Sequence, residues 1–212
     1  GVYIELNTNE LYGRNLTAGA LDVMGQYYSV ASSSHAFYNY GGLVYTGNDE
    51  KALFDNMWQK CYAVIACCNT IIEKCDENKA GLSPVWKGSI KGEALALRAM
   101  LHFDMLRLFG PLTSELDKES IPYQTNSDQT VTPLLSGSEV IGLILDDLKN
   151  AVGLLKDTDP YFVEEEFSDT DLNYRRFRMN YFAAKGLMAR VQLWGGDKGC
   201  YYGQRSNCRR TG

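Results

Sequence analysis

The sequence predicts a mainly α-helical protein, and three observations indicate this class. Long stretches repeat their apolar side chains at about 100° per residue, which is the period of an α-helix. These stretches are bounded by residues that start or stop helices, such as Ser83 before Pro84, Ser136 before Glu139, and Gly195 after the last stretch. No segment alternates apolar and polar residues with a period of two over any length. We therefore predict five helices separated by loops.

The first two predicted helices lie in the N-terminal part of the chain. The second starts at Asp49 and Glu50, whose carboxylates suit a helix N-terminus, and it stops at residues 78–81, where Asn and Gly break the pattern. The first lies within residues 16–31 and is predicted from the helical period of Leu16, Ala20, Met24, Tyr27 and Ala31.

The cysteines are interpreted as thiols rather than as a metal site or a disulfide framework. Cys61, Cys68 and Cys75 recur every seven residues, so they share one face of the second helix. A zinc site would need a Cys-x-x-Cys pair together with a second pair or histidine, and the sequence has no such set. We expect these three thiols to be buried and free, whereas Cys200 and Cys208 could pair in an oxidising compartment.

The third predicted helix is apolar on every side from its start at Pro84 to its stop at Gly110 and Pro111. A helix that is apolar all round is buried, and charges on it then need partners. These charges could line a catalytic groove, but carboxylates without a third convergent group are weak evidence for acid–base chemistry, so we interpret them as structural pairs. One stripe carries Glu93, Asp104 and Arg107, and another, roughly opposite, carries Lys87, Lys91, Arg98 and His102.

The last two predicted helices follow polar loops. Ser136 and Glu139 form a capping-box pattern ahead of the fourth helix, which covers residues 140–155. The fifth runs from Arg178 to Trp194 and stops at two glycines.

Four segments, in this order, resemble parts of the SusD/RagB family of outer-membrane nutrient-uptake lipoproteins. The most specific is EA-xx-LRA-xx-HFD-xx-RLFG-P at residues 93–111. The helix before it carries W-xxx-Y-xx-I-xxx-N-xx-I at residues 58–72, and the helix after it carries I-xx-DL-xx-A-xx-LL at residues 144–155. The fifth helix, RMNYFAAKGLMARVQL, is similar to the family's AAKALLARVYL helix. Ile121 to Tyr123 also fit the loop that follows the first of these motifs.

The resemblance implies tetratricopeptide-like helical hairpins in a non-enzymatic protein without a cofactor. It also implies a cell-surface glycan-binding subunit that acts with a SusC-like TonB-dependent transporter in oligosaccharide uptake, within polysaccharide utilisation, as a surface-exposed lipoprotein of the outer membrane. Because family members are longer and begin with a signal and a lipid-attachment cysteine, we expect a truncated chain. In it, residues 1–196 would be the N-terminal helical domain and residues 197–212 an irregular tail outside the family pattern.

Composition excludes several other classes. The 212 residues are 45% hydrophobic, which suffices for a real core in one domain or at most two. A net charge of −5 and an isoelectric point near 5.1 argue against nucleic acid as a partner. No apolar run approaches the ~20 residues of a membrane-spanning helix.

Candidate ligand contacts lie in the loop of residues 38–45. Tyr38, Tyr40 and Tyr45 offer rings that can stack on the apolar face of a pyranose, and Asn39 offers an amide that binds hydroxyl groups. Tyrosine beside glycine is also common in loops that are merely anchored, so a structural role stays open.

Two other functions stay open from the residues alone. A helical-repeat scaffold could bind a peptide or protein, and the RagB side of the family points to peptide ligands. A glycoside hydrolase would need two carboxyl groups that flank the scissile bond, which a sequence cannot show. The only histidines, His35 and His102, are both interpreted as structural.

Overall fold

A computed structural model describes residues 1–128, 130–159 and 175–196, and these residues are mainly helical. The predicted fold class is therefore confirmed. The chain divides into two compact units, one of residues 1–64 and one that begins at Ile65. The helices are α1 (Val2–Leu6), α2 (Ala20–Met24), α3 (Tyr38–Gly41), α4 (Asn48–Glu77), α5 (Pro84–Phe109), α6 (Gly137–Thr158) and α7 (Tyr181–Trp194).

The first unit holds three short helices and the beginning of α4. The helix predicted within residues 16–31 is wrong in its extent, because α2 covers only five residues. It ends at Gly25, and Gln26 then adopts a φ of 62°, a left-handed conformation that a helix cannot continue through. One core cluster of this unit consists of Ala20, Val23 and Tyr40, against which Met24, Val30, Phe37, Tyr45, Leu53 and Phe54 pack.

The predicted starts of the long helices are confirmed by their caps. The Ser83 hydroxyl accepts a hydrogen bond from the Trp86 amide at the start of α5. Ser136 and Glu139 form the complete capping box of α6. The fifth predicted helix begins three residues later than Arg178, because Asn180 caps it through the Ala183 amide after a 3₁₀ turn at Arg175–Phe177. Residues 197–212 lie outside the described part of the chain.

In the second unit α5 packs along α6, and α6 also packs against α7. Two glycines of α5 allow this close approach. A Cβ on Gly88 would lie 2.5 Å from Thr158 Cγ2, and one on Gly92 would lie 2.8 Å from Leu155 Cγ. Side chains at either position would therefore push α5 and α6 apart.

The structure also contains a two-stranded antiparallel sheet that was not predicted from the sequence. Strand β1, Glu119–Pro122, pairs with β2, Leu134–Ser136, which leads directly into α6. Strands of four and three residues are too short to show an alternating pattern, so no periodicity indicates them.

The centre of the second unit is a buried polar network around Arg98. Its Nε donates to Asp147 Oδ2 at 2.7 Å and its Nη2 to Asp147 Oδ1 at 2.6 Å, so the pair is bidentate. Arg98 Nη1 donates to Asn69 Oδ1 at 2.9 Å, and the Tyr123 hydroxyl donates to Asp147 Oδ2 at 2.5 Å. The network joins α4, α5, α6 and the segment after β1, which confirms that Arg98 is a structural charge.

His102, one helical turn after Arg98, is buried in the same region. The Gln124 amide N–H donates to its Nε2 at 3.0 Å, so Nδ1 carries the proton and donates to the Arg98 carbonyl at 2.9 Å. The imidazole also stacks on Tyr123, with ring centroids 3.9 Å apart. Burial lowers the pKa of His102 to about 3, so the ring is neutral in the folded protein.

Four other charged residues of α5, namely Lys91, Glu93, Asp104 and Arg107, are also paired. Glu93 Oε2 lies 2.6 Å from Arg175 Nη1 in a buried ion pair, and Arg107 pairs with Asp104 near the surface. Lys91 pairs with Asp76 of α4.

The thiols of α4 lie where the seven-residue spacing predicts. Cys61, Cys68 and Cys75 are buried and free, whereas Cys67 is exposed. Burial raises the pKa of the Cys68 thiol to about 12, which makes it unreactive. Cys200 and Cys208 lie outside the described residues.

We predict that Asp147→Ala lowers the free energy of unfolding by about 3–5 kcal/mol, because it leaves the Arg98 guanidinium buried without its counter-ion. The neighbouring Asp146 is a matched control, since its carboxylate is exposed and pairs with the equally exposed Lys149. Asp146→Ala should change stability little. Urea denaturation of both variants measures the difference, and equal losses would contradict a structural role for the Arg98–Asp147 pair.

We also predict that His102 makes stability depend on pH. Its pKa is about 3 in the folded state and about 6.5 in an unfolded chain, so only the unfolded state takes up this proton between those values. The contribution of His102 is therefore fully present above about pH 6.5 and is lost as the pH falls toward 3. Denaturation between pH 4.5 and 7 should show a shallower pH dependence for His102→Gln than for the unsubstituted protein. The exposed His35 supplies the control variant, His35→Gln; an unchanged slope in His102→Gln would refute the prediction.

Candidate functional site

The four predicted contact residues lie in the first unit, in and after α3. The segment predicted as a loop begins with a helical turn, because the Gly41 amide bonds to the Phe37 carbonyl and the Gly42 amide to the Tyr38 carbonyl. The turn ends at the two glycines, and the Val44 amide then donates to the Asn39 carbonyl at 2.8 Å. This folding brings Tyr38 and Asn39 to the surface and turns Tyr40 inward.

Tyr40 occupies a core position. It is only 2% exposed, and its ring meets Phe37, Tyr45 and Phe54 with centroids 5.8, 6.3 and 6.0 Å away. Burial, with the nearby carboxylate of Glu50, raises the pKa of Tyr40 to about 12. A ring enclosed in this way supports the surface from below and has no open face for a ligand.

Tyr45 is half-buried, and its ring packs edge-on against Phe54 at 5.5 Å. Part of its aromatic surface is therefore used inside the unit. Tyr40 and Tyr45 together with Phe37 and Phe54 form an aromatic cluster of tilted and edge-to-face rings, an arrangement that aromatic side chains favour.

Tyr38 and Asn39 are the accessible members of the predicted set. The Tyr38 side chain is 42% exposed, so its ring is partly open to solvent. Asn39 is also exposed, and its Nδ2 donates to Glu50 Oε1 of α4 at 2.8 Å. An exposed aromatic ring and an oriented amide on consecutive residues are groups that can bind a sugar through its apolar face and a hydroxyl group.

Sequence reasoning missed two further exposed rings next to α3. Tyr27 is 79% exposed and Tyr28 is 53% exposed, although the helical period had placed Tyr27 on the apolar face of a longer helix. The Gln26 side chain donates to the Gly41 carbonyl at 3.0 Å and thereby ties this segment to the end of α3. We call the side chains of Tyr27, Tyr28, Tyr38 and Asn39 the tyrosine surface. The Gly25-Gln26 turn that exposes the first two had no recognisable signal in the sequence.

The second unit has an open groove of about 600 Å³ beside α5 and α6. Its charged groups are already engaged: Arg98 with Asp147, Lys91 with Asp76, and Lys149 with Asp146. Charges that are neutralised by neighbours attract an ionic ligand weakly, and the described residues that line the groove include no aromatic ring for stacking, so it is a poorer candidate than the tyrosine surface. Its lining residues are Ile72, Lys91, Leu95, Arg98, Asp147, Lys149, Asn150, Gly153 and Leu154.

The buried carboxylates of the second unit are bound to arginine. Glu93 and Asp159 both contact Arg175, at 2.6 and 3.5 Å, and Asp159 also accepts the Tyr181 amide at 2.7 Å. Such groups serve as structural anchors, because a general acid or base needs access to substrate. Over residues 1–128, 130–159 and 175–196, no group of three or more His, Cys, Asp or Glu side chains could hold a metal ion. No helix in the same residues is long and apolar enough to cross a membrane.

Comparison with known proteins agrees with the fold. A SusD-like family model, described as "Starch-binding associating with outer membrane", matches residues 16–193. A SusD-like protein of Bacteroides ovatus is 30% identical over 146 residues, which cover 67% of this chain and 23% of that protein. The chain thus spans about a quarter of the length of this curated relative.

Solved structures share the fold at low sequence identity. A SusD superfamily protein from Bacteroides thetaiotaomicron is similar over 100% of this chain and 44% of its own, with a TM-score of 0.72 and 20% identity. A crystal structure with xylogluco-oligosaccharide is similar over 91% of this chain and 32% of its own, with a TM-score of 0.59 and 21% identity. Because the family model matches most of the sequence, the chain belongs to the SusD-like family.

Proposed function

We propose that this protein is a non-enzymatic carbohydrate-binding subunit that captures oligosaccharides at the surface of the outer membrane. The observation that carries the proposal is the match of residues 16–193 to a family described as starch-binding and associated with the outer membrane. The complex of a structural neighbour with xylogluco-oligosaccharide supports a carbohydrate ligand. The exposed rings of the tyrosine surface offer the stacking faces that a sugar would need.

We further propose that the protein acts with a SusC-like TonB-dependent transporter and is held at the cell surface as a lipoprotein. Binding and transport are complementary tasks, since a binding protein without a pore cannot move its ligand across a membrane. The association of the matched family with the outer membrane supports this location.

Within the tyrosine surface, we assign ligand contact to Tyr38 and Asn39. Their exposure supports this role, while Tyr40 and Tyr45 act as the packed base beneath them. A flat ring binds the C–H face of a pyranose by burying apolar area, and the Asn39 amide then selects hydroxyl geometry.

We predict that Tyr38→Ala weakens binding to a neutral polysaccharide about three- to tenfold, because the stacking face is lost. Tyr38→Phe should keep most of the affinity, since it keeps the ring. Phe182→Ala, which removes an exposed ring of α7 in the second unit, is the control and should bind normally. Native affinity gels that contain soluble starch or xyloglucan, run with the full-length gene product, measure retention.

The same samples test the competing functions. Release of reducing sugar from either polysaccharide would overturn the proposal in favour of a glycoside hydrolase. Retention by neither polysaccharide, together with binding to peptides, would favour the scaffold function instead.

For the transporter, we predict that an affinity-tagged full-length protein copurifies with a TonB-dependent barrel from detergent-solubilised outer membranes. The Phe182→Ala and Tyr38→Ala variants should copurify equally well, because ligand contact and transporter contact are separate tasks. Recovery of the protein alone, or its absence from the membrane fraction, would contradict the proposed partnership.

A further inference from the structure

The Asn39 side chain of the tyrosine surface is held by a buried carboxylate. Its Nδ2 donates to Glu50 Oε1 at 2.8 Å, and Glu50 itself is buried. An amide whose nitrogen is bound on one side points its oxygen to the other side, because the two atoms diverge from the same carbon. This bond therefore fixes which end of Asn39 faces the surface.

Glu50 is itself fixed by the start of a long helix. It lies in the first turn of α4, a helix of 30 residues whose N-terminal dipole favours a carboxylate. Gly47 leaves room for it, since a methyl group at that position would overlap the Glu50 carboxylate. The Lys51 amide bonds to the Gly47 carbonyl at 3.1 Å and closes this turn. The first turn of α4 thus supports the side chain of Asn39 in α3.

We propose that Glu50 is a positioning residue that presents Oδ1 of Asn39, the residue after Tyr38, as a hydrogen-bond acceptor for a neutral sugar. The inference rests on the proposed function of the tyrosine surface. An outward carbonyl oxygen accepts a hydrogen bond from a hydroxyl group and has nothing to offer a carboxylate. The negative charge of Glu50 behind it also repels acidic sugars. The site therefore selects neutral oligosaccharides over uronic acid or sulfated ones.

The test compares Glu50→Ala with Asp49→Ala in the full-length gene product. Asp49 is the matched control, because it is the neighbouring acidic residue of the same helical turn and is exposed. Glu50→Ala should weaken retention by soluble starch or xyloglucan about tenfold, because an amide that is no longer held loses its oriented hydrogen bond to the sugar. Asp49→Ala should stay within about twofold. Glu50→Gln, which keeps an acceptor for Asn39, should restore most of the affinity.

Two further measurements separate positioning from folding. The side-chain amide signals of Asn39 in ¹H–¹⁵N spectra should move in Glu50→Ala and stay in place in Asp49→Ala. Asn39→Asp places a second carboxylate against Glu50 without removing any buried group, so it should lose affinity even if Glu50→Ala unfolds. Thermal melting of each variant identifies any that has unfolded.

The outcomes are distinct. Equal retention of Glu50→Ala and Asp49→Ala, in a protein that binds neutral polysaccharide and depends on Tyr38, would overturn the role of Glu50 alone. Stronger retention by polygalacturonic acid than by starch and xyloglucan would overturn the preference for neutral sugars. Retention by none of the three would overturn the proposed function and the inference with it.

Discussion

The second unit depends on the bidentate pair between Arg98 and Asp147. Taking a guanidinium and a carboxylate out of water costs several kcal/mol per ion, so such a pair is tolerated only when nearly every donor and acceptor is satisfied. Here Asn69 and Tyr123 complete the set, at 2.9 and 2.5 Å. The pair therefore joins α5 to α6, and it also requires α4 and the segment after β1 to be in place.

The polar and charged side chains of α5 are used in such structural contacts, so they do not form an active-site arrangement. His102 stays neutral by burial, and its two nitrogens are used by the backbone of Arg98 and Gln124. Glu93 forms a buried ion pair with Arg175. The segment most typical of the family is thus a scaffold, and the candidate ligand contacts lie in the other unit, among short helices and turns.

The two units also differ in how far the sequence predicts them. The long helices were predictable because Ser83 and Ser136 cap them and their apolar period extends over many turns. The first unit was not, since the left-handed Gln26 follows from packing that no local pattern records. For the candidate site, composition pointed to the segment of residues 38–45 but could not separate the exposed Tyr38 from the buried Tyr40. That choice depends on which side of a four-residue helix meets the core of Ala20 and Val23.

The long helix α4 can also orient a side chain on the short helix α3. A short turn such as α3 has too few internal hydrogen bonds to hold a side chain in one orientation against thermal motion. Glu50 supplies that restraint from outside the turn, because it is held by the first turn of α4 and bonds to Asn39. A ligand that meets an already oriented amide loses less entropy on binding, so the proposed role of Glu50 would make affinity depend on a residue that the ligand itself never touches.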